Sequence, residues 1–243
     1  EIPTPEILDP DPTNQQSNEY WEKSDLRVVL KLNASGIPIT TVANPLGIEV
    51  QNSDGTVNTL ATSRILSAGC LGALTATNTF RNQRESKDIR MLDVDMTKLL
   101  TCVGTDNSLV QGGLADTTEG GLVFHFSVDG PSSSGINNYG VRVKNGKTLD
   151  SRIKGLTVVT NQAMYVQGDY NSPDPISGKK PASFLADSLN ILSNNWSDEN
   201  STKSLSNRIA SATKINAAFL AGVDKTKEGN LGTSAYNGGL ENY

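Results

Sequence analysis

The sequence predicts a mainly β fold: a β-solenoid or β-helix-like body, or another stacked all-β body, with a few short helices. Three observations carry this expectation. Residues 155–196 read GLTVVTNQAMYVQGDYN, then a Pro/Gly/Lys-rich hinge, then FLADSLNILSNNW, so short apolar runs alternate with Asn, Gly and Asp corners. Hydrophobic residues make up only 36% of the chain and charged residues 19%, which leaves much of the rest to the Asn, Ser, Thr and Gly of turn-rich β proteins. Strand candidates also recur every ten to twenty residues or so, without a strict repeat.

The elements follow in chain order. Residues 1–18 carry four of the ten prolines among acidic and amide residues and read as a linker or arm. One large β-rich domain is expected over residues 19–243, with a sub-boundary near 104–120. In residues 25–36, Leu26, Val28, Leu30 and Leu32 alternate with polar neighbours before an Asn/Ser/Gly turn, the period of a half-buried strand. The stretch GIEVQNSDGTVNTL places Asp54-Gly55 between two short apolar runs and predicts a hairpin. Asp95 is placed to cap a short helix over residues 96–101. Residues 121–130 (GLVFHFSVDG) return to strand alternation, with Val123 and His125 on one face and Leu122, Phe124 and Phe126 on the other. The runs YGVRVKNG, GLTVVTNQ and AMYVQGDY continue it. SFLADSLNILSN and KINAAFLAG fit either strands or short helices. From Asp224 the tail is Gly/Asn/Lys-rich.

Charge narrows the function classes. The formal net charge is −5, and the longest basic cluster is Lys179-Lys180, so the chain lacks the positive footprint that nucleic acid or an anionic membrane surface requires. No apolar run approaches the ~20 residues that a membrane-spanning helix needs. The first residue is Glu1 rather than Met, and the opening reads as a mature product or fragment whose targeting segment lies upstream. Cys70 and Cys102 lie 32 positions apart. Neither belongs to a CxxC pair, and His125 alone cannot complete a zinc site with them. They read as a structural disulfide, contributing about 3–4 kcal/mol on the loop-entropy estimate, or as two buried thiols.

Catalytic chemistry is not apparent. His125, the single histidine, lies mid-strand between two Phe residues and reads as a packed side chain, and no GxSxG elbow accompanies it. Asp93 and Asp95 share a face if their segment is extended, but capping accounts for Asp95 equally well. Residues 9–14, 52–55 and 197–200 are weak calcium-loop candidates that Asx-turn chemistry also explains, so no cofactor is expected. Tyr139, Tyr165, Tyr170 and Trp196 border turn residues. Of these, Tyr165, Tyr170 and Trp196 are the candidate aromatics for stacking on a sugar or peptide, the alternative being that they close the ends of a sheet. Asn33, Asn195 and Asn200 match the N-glycosylation pattern, as Asn/Ser/Thr-rich chains do by chance.

Several ordered segments carry a resemblance: EYWEKSDLRVVL, TFRNQRESKDIRMLDVDMTKLL, YGVRVKNGKTL, GLTVVTNQAMYVQGDYN, KKPASFLADSLNILSNNW, and KINAAFLAG followed by YNGGLENY. Together they resemble the C-terminal body of large bacterial exported proteins with a PilX-type pilus-assembly segment, a group related to hormogonium polysaccharide-associated surface proteins. The resemblance implies an extracellular or cell-surface location and a role near type IV pilus-like assembly. It carries no catalytic residues. The function expected is a non-enzymatic structural or adhesion domain of the cell envelope. Its partners would be its own copies, other envelope or pilus proteins, or polysaccharide, and neither nucleic acid nor a membrane interior. The alternative is a carbohydrate-binding or polysaccharide-active β-helix protein.

Overall fold

The computed structural model describes residues 19–83, 87–106, 108–131, 139–221 and 239–242, so the arm expected over residues 1–18 lies outside the described residues. The chain runs through α1 (Glu19–Glu22), β1 (Leu26–Lys31), β2 (Ile48–Val50), α2 (Thr59–Ile65), β3 (Leu74–Asn82), β4 (Lys87–Asp95), α3 (Met96–Thr105) and β5 (Leu122–Asp129). It continues through β6 (Tyr139–Lys144), β7 (Leu156–Val159), β8 (Ala163–Gln167), β9 (Ala182–Ala186), β10 (Ser188–Leu192), β11 (Ala218–Ala221) and β12 (Gly239–Asn242). These strands form two six-stranded sheets, ordered β11-β9-β7-β5-β1-β2 and β12-β10-β8-β6-β4-β3. Their inner faces share one core, with Val28, Phe124, Val158 and Phe184 from the first sheet and Val94, Val141, Met164 and Leu189 from the second. Leu109, Val110 and Leu114, from the segment 104–120, belong to that same core.

The expected β-solenoid or stacked all-β body is not what forms. The architecture is α/β, with two mixed parallel and antiparallel sheets and few helices. The β1–β2 and β3–β4 pairs are antiparallel, while β4–β6, β6–β8, β5–β7 and β7–β9 are parallel. Successive parallel strands of the first sheet begin at Leu122, Leu156, Ala182 and Ala218, an uneven spacing rather than a coil period. Helices α2 and α3 add Ala61, Ile65, Leu99, Leu100 and Val103 to the core. The rhythm of apolar runs and polar corners reports strand length and turn chemistry, which both architectures share. Pairing direction is set by long-range packing that the local pattern does not carry.

Individual elements follow from their residues. β5 is buried from Leu122 to Val128, the near-continuous burial of a strand paired on both sides and covered on both faces. Its entry is tight: Gly121 has φ +136°, and a Cβ there would fall 2.5 Å from the backbone of Gly155, which leads into β7. The corner between β7 and β8 is braced by the buried Gln162, which accepts from Val128 N at 3.0 Å and donates to Val128 O at 2.6 Å. Asp95 caps α3 as expected, its Oδ1 accepting from Lys98 N at 3.1 Å, and the helix extends to Thr105. The hairpin expected at Asp54-Gly55 is cut short. Gln51 and Val57 form a single antiparallel bridge, and then Asn58 Oδ1 accepts from Ala61 N and caps α2, a helix the apolar pattern does not announce. The two ambiguous runs form strands β9, β10 and β11.

Candidate functional site

A buried charged cluster sits on the outer face of the second sheet. Asp93 of β4 and Arg142 of β6 are register partners, so their side chains rise from the same face. Arg142 donates from Nε to Asp93 Oδ1 and from Nη2 to Asp93 Oδ2, each at 2.8 Å, and from Nη1 to Asp198 Oδ1 at 2.6 Å. Thr77 Oγ1 donates to Asp93 at 2.6 Å, and Lys144 Nζ lies 3.3 Å away. Burial works against the guanidinium charge, but the bonds to Asp93 and Asp198 outweigh it and hold Arg142 well above its ordinary pKa. Trp196 Nε1 donates to Asp198 at 3.1 Å. Each carboxylate here already has donors in place, so the cluster is a clasp that fastens the segment after β10 across the sheet. Asp93 and Asp95 have separate partners: Asp95 caps α3 and accepts from Asn145 Nδ2 at 2.7 Å.

The stacking aromatics expected from sequence are placed differently. Tyr165 and Tyr170 are each 1% exposed. Tyr165 packs edge-on to Phe80 at 4.9 Å, and Tyr170 lies 4.6 Å from Phe184, where burial pushes its phenol well up. Trp196 is half-buried against Phe80 at 5.8 Å. Tyr165 lies in the middle of β8 rather than at a turn, and Tyr170 packs within the core shared by the two sheets, so neither ring lies at the surface. His125 is fully buried, its ring edge-on to Trp21 at 5.0 Å. Cys70 and Cys102 form a disulfide (Cα–Cα 4.9 Å) that joins the 3-10 turn at Ala68–Cys70 to α3.

Among the described residues no three His, Cys, Asp or Glu side chains converge as a metal-ligand set. In residues 52–55, Asp54 accepts from the hydroxyl and amide of Thr56, bonds that hold its carboxyl below the ordinary range. Asp198, in residues 197–200, belongs to the clasp, and residues 9–14 lie outside the described residues. A groove of about 670 Å3 runs between the Pro173–Ile176 loop, Lys147 and Lys214. Its lining includes Asp169 and Asp174 with two Lys and no aromatic ring.

The sheet ends differ in a way that the charge and aromatic patterns do not reveal. β2 is the outermost strand of the first sheet, and the groups of Ile48 and Val50 that face away from β1 are all satisfied. Ile48 N donates to Asn44 Oδ1 at 3.1 Å, and Ile48 O accepts from Asn44 Nδ2 at 2.9 Å. Val50 N donates to Thr62 Oγ1 at 2.9 Å, and Val50 O accepts from Asn58 N at 2.8 Å. β3, the corresponding strand of the second sheet, breaks register between Thr77 and Phe80, and Arg81 N donates to Ser201 Oγ at 3.1 Å. Both devices blunt an edge.

β11, at the opposite end, pairs with β9 on one side. Among the described residues no backbone or side-chain group bonds its other side. Phe219 stacks on Phe184 of β9 at 6.2 Å and 13°, on the core side, yet remains 38% exposed. Ile215, Ala217 and Ala221 likewise pack on the core while staying half-buried. The apolar core therefore reaches the surface at this end, beside a strand edge with no outer partner among the described residues. Sequence offered one signal for this, a run of four apolar residues (AFLA) with no charge, and it did not show that the strand is terminal.

Comparison with protein-family models, curated proteins and solved structures finds no match to this chain.

Proposed function

We propose that this chain is a non-enzymatic structural or adhesion domain of the cell envelope that acts by assembling with other chains through the β11 edge. The observation that carries the reading is the uncharged edge at Ala218–Ala221, which has no outer partner among the described residues and lies where Phe219 stays partly exposed. A strand edge with unmet N–H and C=O groups is a template for another strand, and natural proteins that do not use such an edge usually blunt it. β2 and β3 are blunted, whereas among the described residues nothing pairs the outer side of β11 or of β12. The segments that resemble exported, pilus-linked proteins support an extracellular setting, and the Cys70–Cys102 disulfide is compatible with an oxidising compartment.

The test is size-exclusion chromatography with light scattering over a concentration series, on the full chain and on Ala218→Lys. Mass that rises with concentration in the parent and stays monomeric in the variant is the expected result. A monomer at every concentration, or association that Ala218→Lys leaves intact, contradicts the reading.

A further inference from the structure

The outer face of the first sheet carries a small pocket that assembly through β11 does not use. We propose that it binds a single neutral sugar residue, with Tyr20 as the stacking ring and the hydroxyls of Thr157 and Ser183 as the polar contact. This goes beyond the assembly reading and is independent of it, since a strictly monomeric chain would keep the pocket.

The floor is one register row. Val123 of β5, Thr157 of β7 and Ser183 of β9 are successive partners across three parallel strands, and Leu185 lies two residues further along β9. Their neighbours Phe124, Val158 and Phe184 point into the core, so strand alternation turns these four side chains outward. Thr157 Oγ1 and Ser183 Oγ lie 2.8 Å apart and share one hydrogen bond, and both residues are half-buried. Two hydroxyls carry two protons, so the shared bond leaves one O–H donor and spare lone pairs on the pocket floor.

The wall is aromatic. Tyr20 packs on Val123, Val159 and Leu185 while staying half-buried. Its helix, α1, is fixed in place: Trp21 lies edge-on to His125, and Arg27 donates from Nε to Trp21 O and from Nη2 to Glu22 O. The ring is thus positioned before a ligand arrives, which lowers the ordering cost of binding. At the rim, Lys23 Nζ lies 3.5 Å from Glu119. Glu119 has φ +49°, a backbone conformation uncommon for a residue with a side chain and one that concentrates at ligand sites.

These parts match one ligand class. The volume of about 210 Å3 falls below that of drug-sized pockets and suits one small ring. A pyranose has C–H faces that lie against Tyr20 and the apolar floor, and a rim of hydroxyls that both donate and accept. The Thr157–Ser183 pair and the Lys23–Glu119 pair offer donors and acceptors to that rim. A wholly apolar ligand would strip water from Thr157 and Ser183 and replace none of its hydrogen bonds.

The test is a titration of the isotope-labelled full chain with D-glucose, D-galactose, D-mannose and N-acetyl-D-glucosamine, followed by amide NMR shifts. Saturable shifts at Val123, Thr157, Ser183 and Leu185 with at least one sugar are expected, with a Kd on the order of 1 mM for so small a ligand. Tyr20→Ala should weaken that binding about tenfold and Tyr20→Phe should leave it near the parent value. Thr157→Val, which keeps shape and removes the hydroxyl, should weaken it about fivefold and supplies the reading if Tyr20→Ala fails to fold. No saturable shift with any of these sugars, including the case in which residues 1–18 fill the pocket, would overturn the proposal. Shifts confined to another face, or binding that neither Tyr20→Ala nor Thr157→Val weakens, would overturn it as well.

Discussion

The two ends of the first sheet are short strands, Ile-Glu-Val and Ala-Phe-Leu-Ala, treated in opposite ways. At β2 the outward amides and carbonyls meet Asn44, Asn58 and Thr62, and α2 lies alongside. At β11 the strand is Ala-Phe-Leu-Ala, paired on one side, with Phe219 ending an aromatic column half in solvent. The difference teaches that a strand's hydrophobicity does not decide whether its edge is available. What decides is whether nearby side chains can hydrogen-bond the outward backbone groups. Asn and Thr at the β2 end can, and no described residue does so at β11.

The comparison can be sharpened in order of expected effect. The largest effect comes from the clasp that fastens the segment over the second sheet near β3. Arg142→Ala leaves Asp93 buried with only Thr77 and Lys144, and stability should fall by about 3 kcal/mol, read as a lower denaturant midpoint at unchanged slope. A loss under about 1 kcal/mol would mean that water or Lys144 replaces the guanidinium and that the clasp matters little. A smaller effect is expected from Thr62→Val, which keeps shape and removes the acceptor for Val50 N. The cost should be about 1–2 kcal/mol, together with new concentration-dependent association at the β2 end. Stability loss without association would show that α2 alone shields that edge.

The smallest effect concerns pH near the open end. Asp169 accepts from Asn194 Nδ2 at 2.7 Å and from Lys214 N at 2.9 Å, which holds its carboxyl below the ordinary carboxylate range. A depressed folded-state pKa means its contribution is complete above the ordinary value near 3.9 and fades as pH falls through the depressed one. The segment leading into β11 should therefore keep its order from pH 7 to about 5 and loosen only in stronger acid. Asp169→Asn should flatten that acid dependence in thermal scans. Loosening already at pH 6 would point to a different group.

Much of the local structure was legible in the sequence. Alternation located the strands from Leu26 to Lys31 and from Leu122 to Asp129, and Asp95 announced the start of α3. Each of these depends on residues within a few positions of one another. The clasp joins Asp93, Arg142 and Asp198, residues about 50 positions apart that meet only after β4 and β6 pair. Asp93 lies between Leu92 and Val94 and Arg142 between Val141 and Val143, apolar neighbours that the fold turns inward; this signal of opposite charges on one sheet face was not read from the sequence. Helix α2 was missed because TLATSRI shows two buried positions, Ala61 and Ile65, too few for a periodic signal. Sheet architecture and the identity of the terminal strand depend on pairing partners, and no local window contains them. The aromatic platform was read from positions near turns, which carry no sign that Tyr165 packs with Phe80 and Trp196 or that Tyr170 sits in the core between the sheets.

Native-state hydrogen exchange tests the contrast between the ends most directly, following the amides of Ile48 and Val50 beside those of Ala218–Ala221 in dilute and concentrated solution. The account predicts that Ile48 and Val50 are protected at every concentration despite lying on an edge strand. It also predicts that β11 amides facing away from β9 exchange quickly when dilute and become protected as concentration rises. Equal protection of β11 in the dilute monomer, or rapid exchange at Val50, would contradict it.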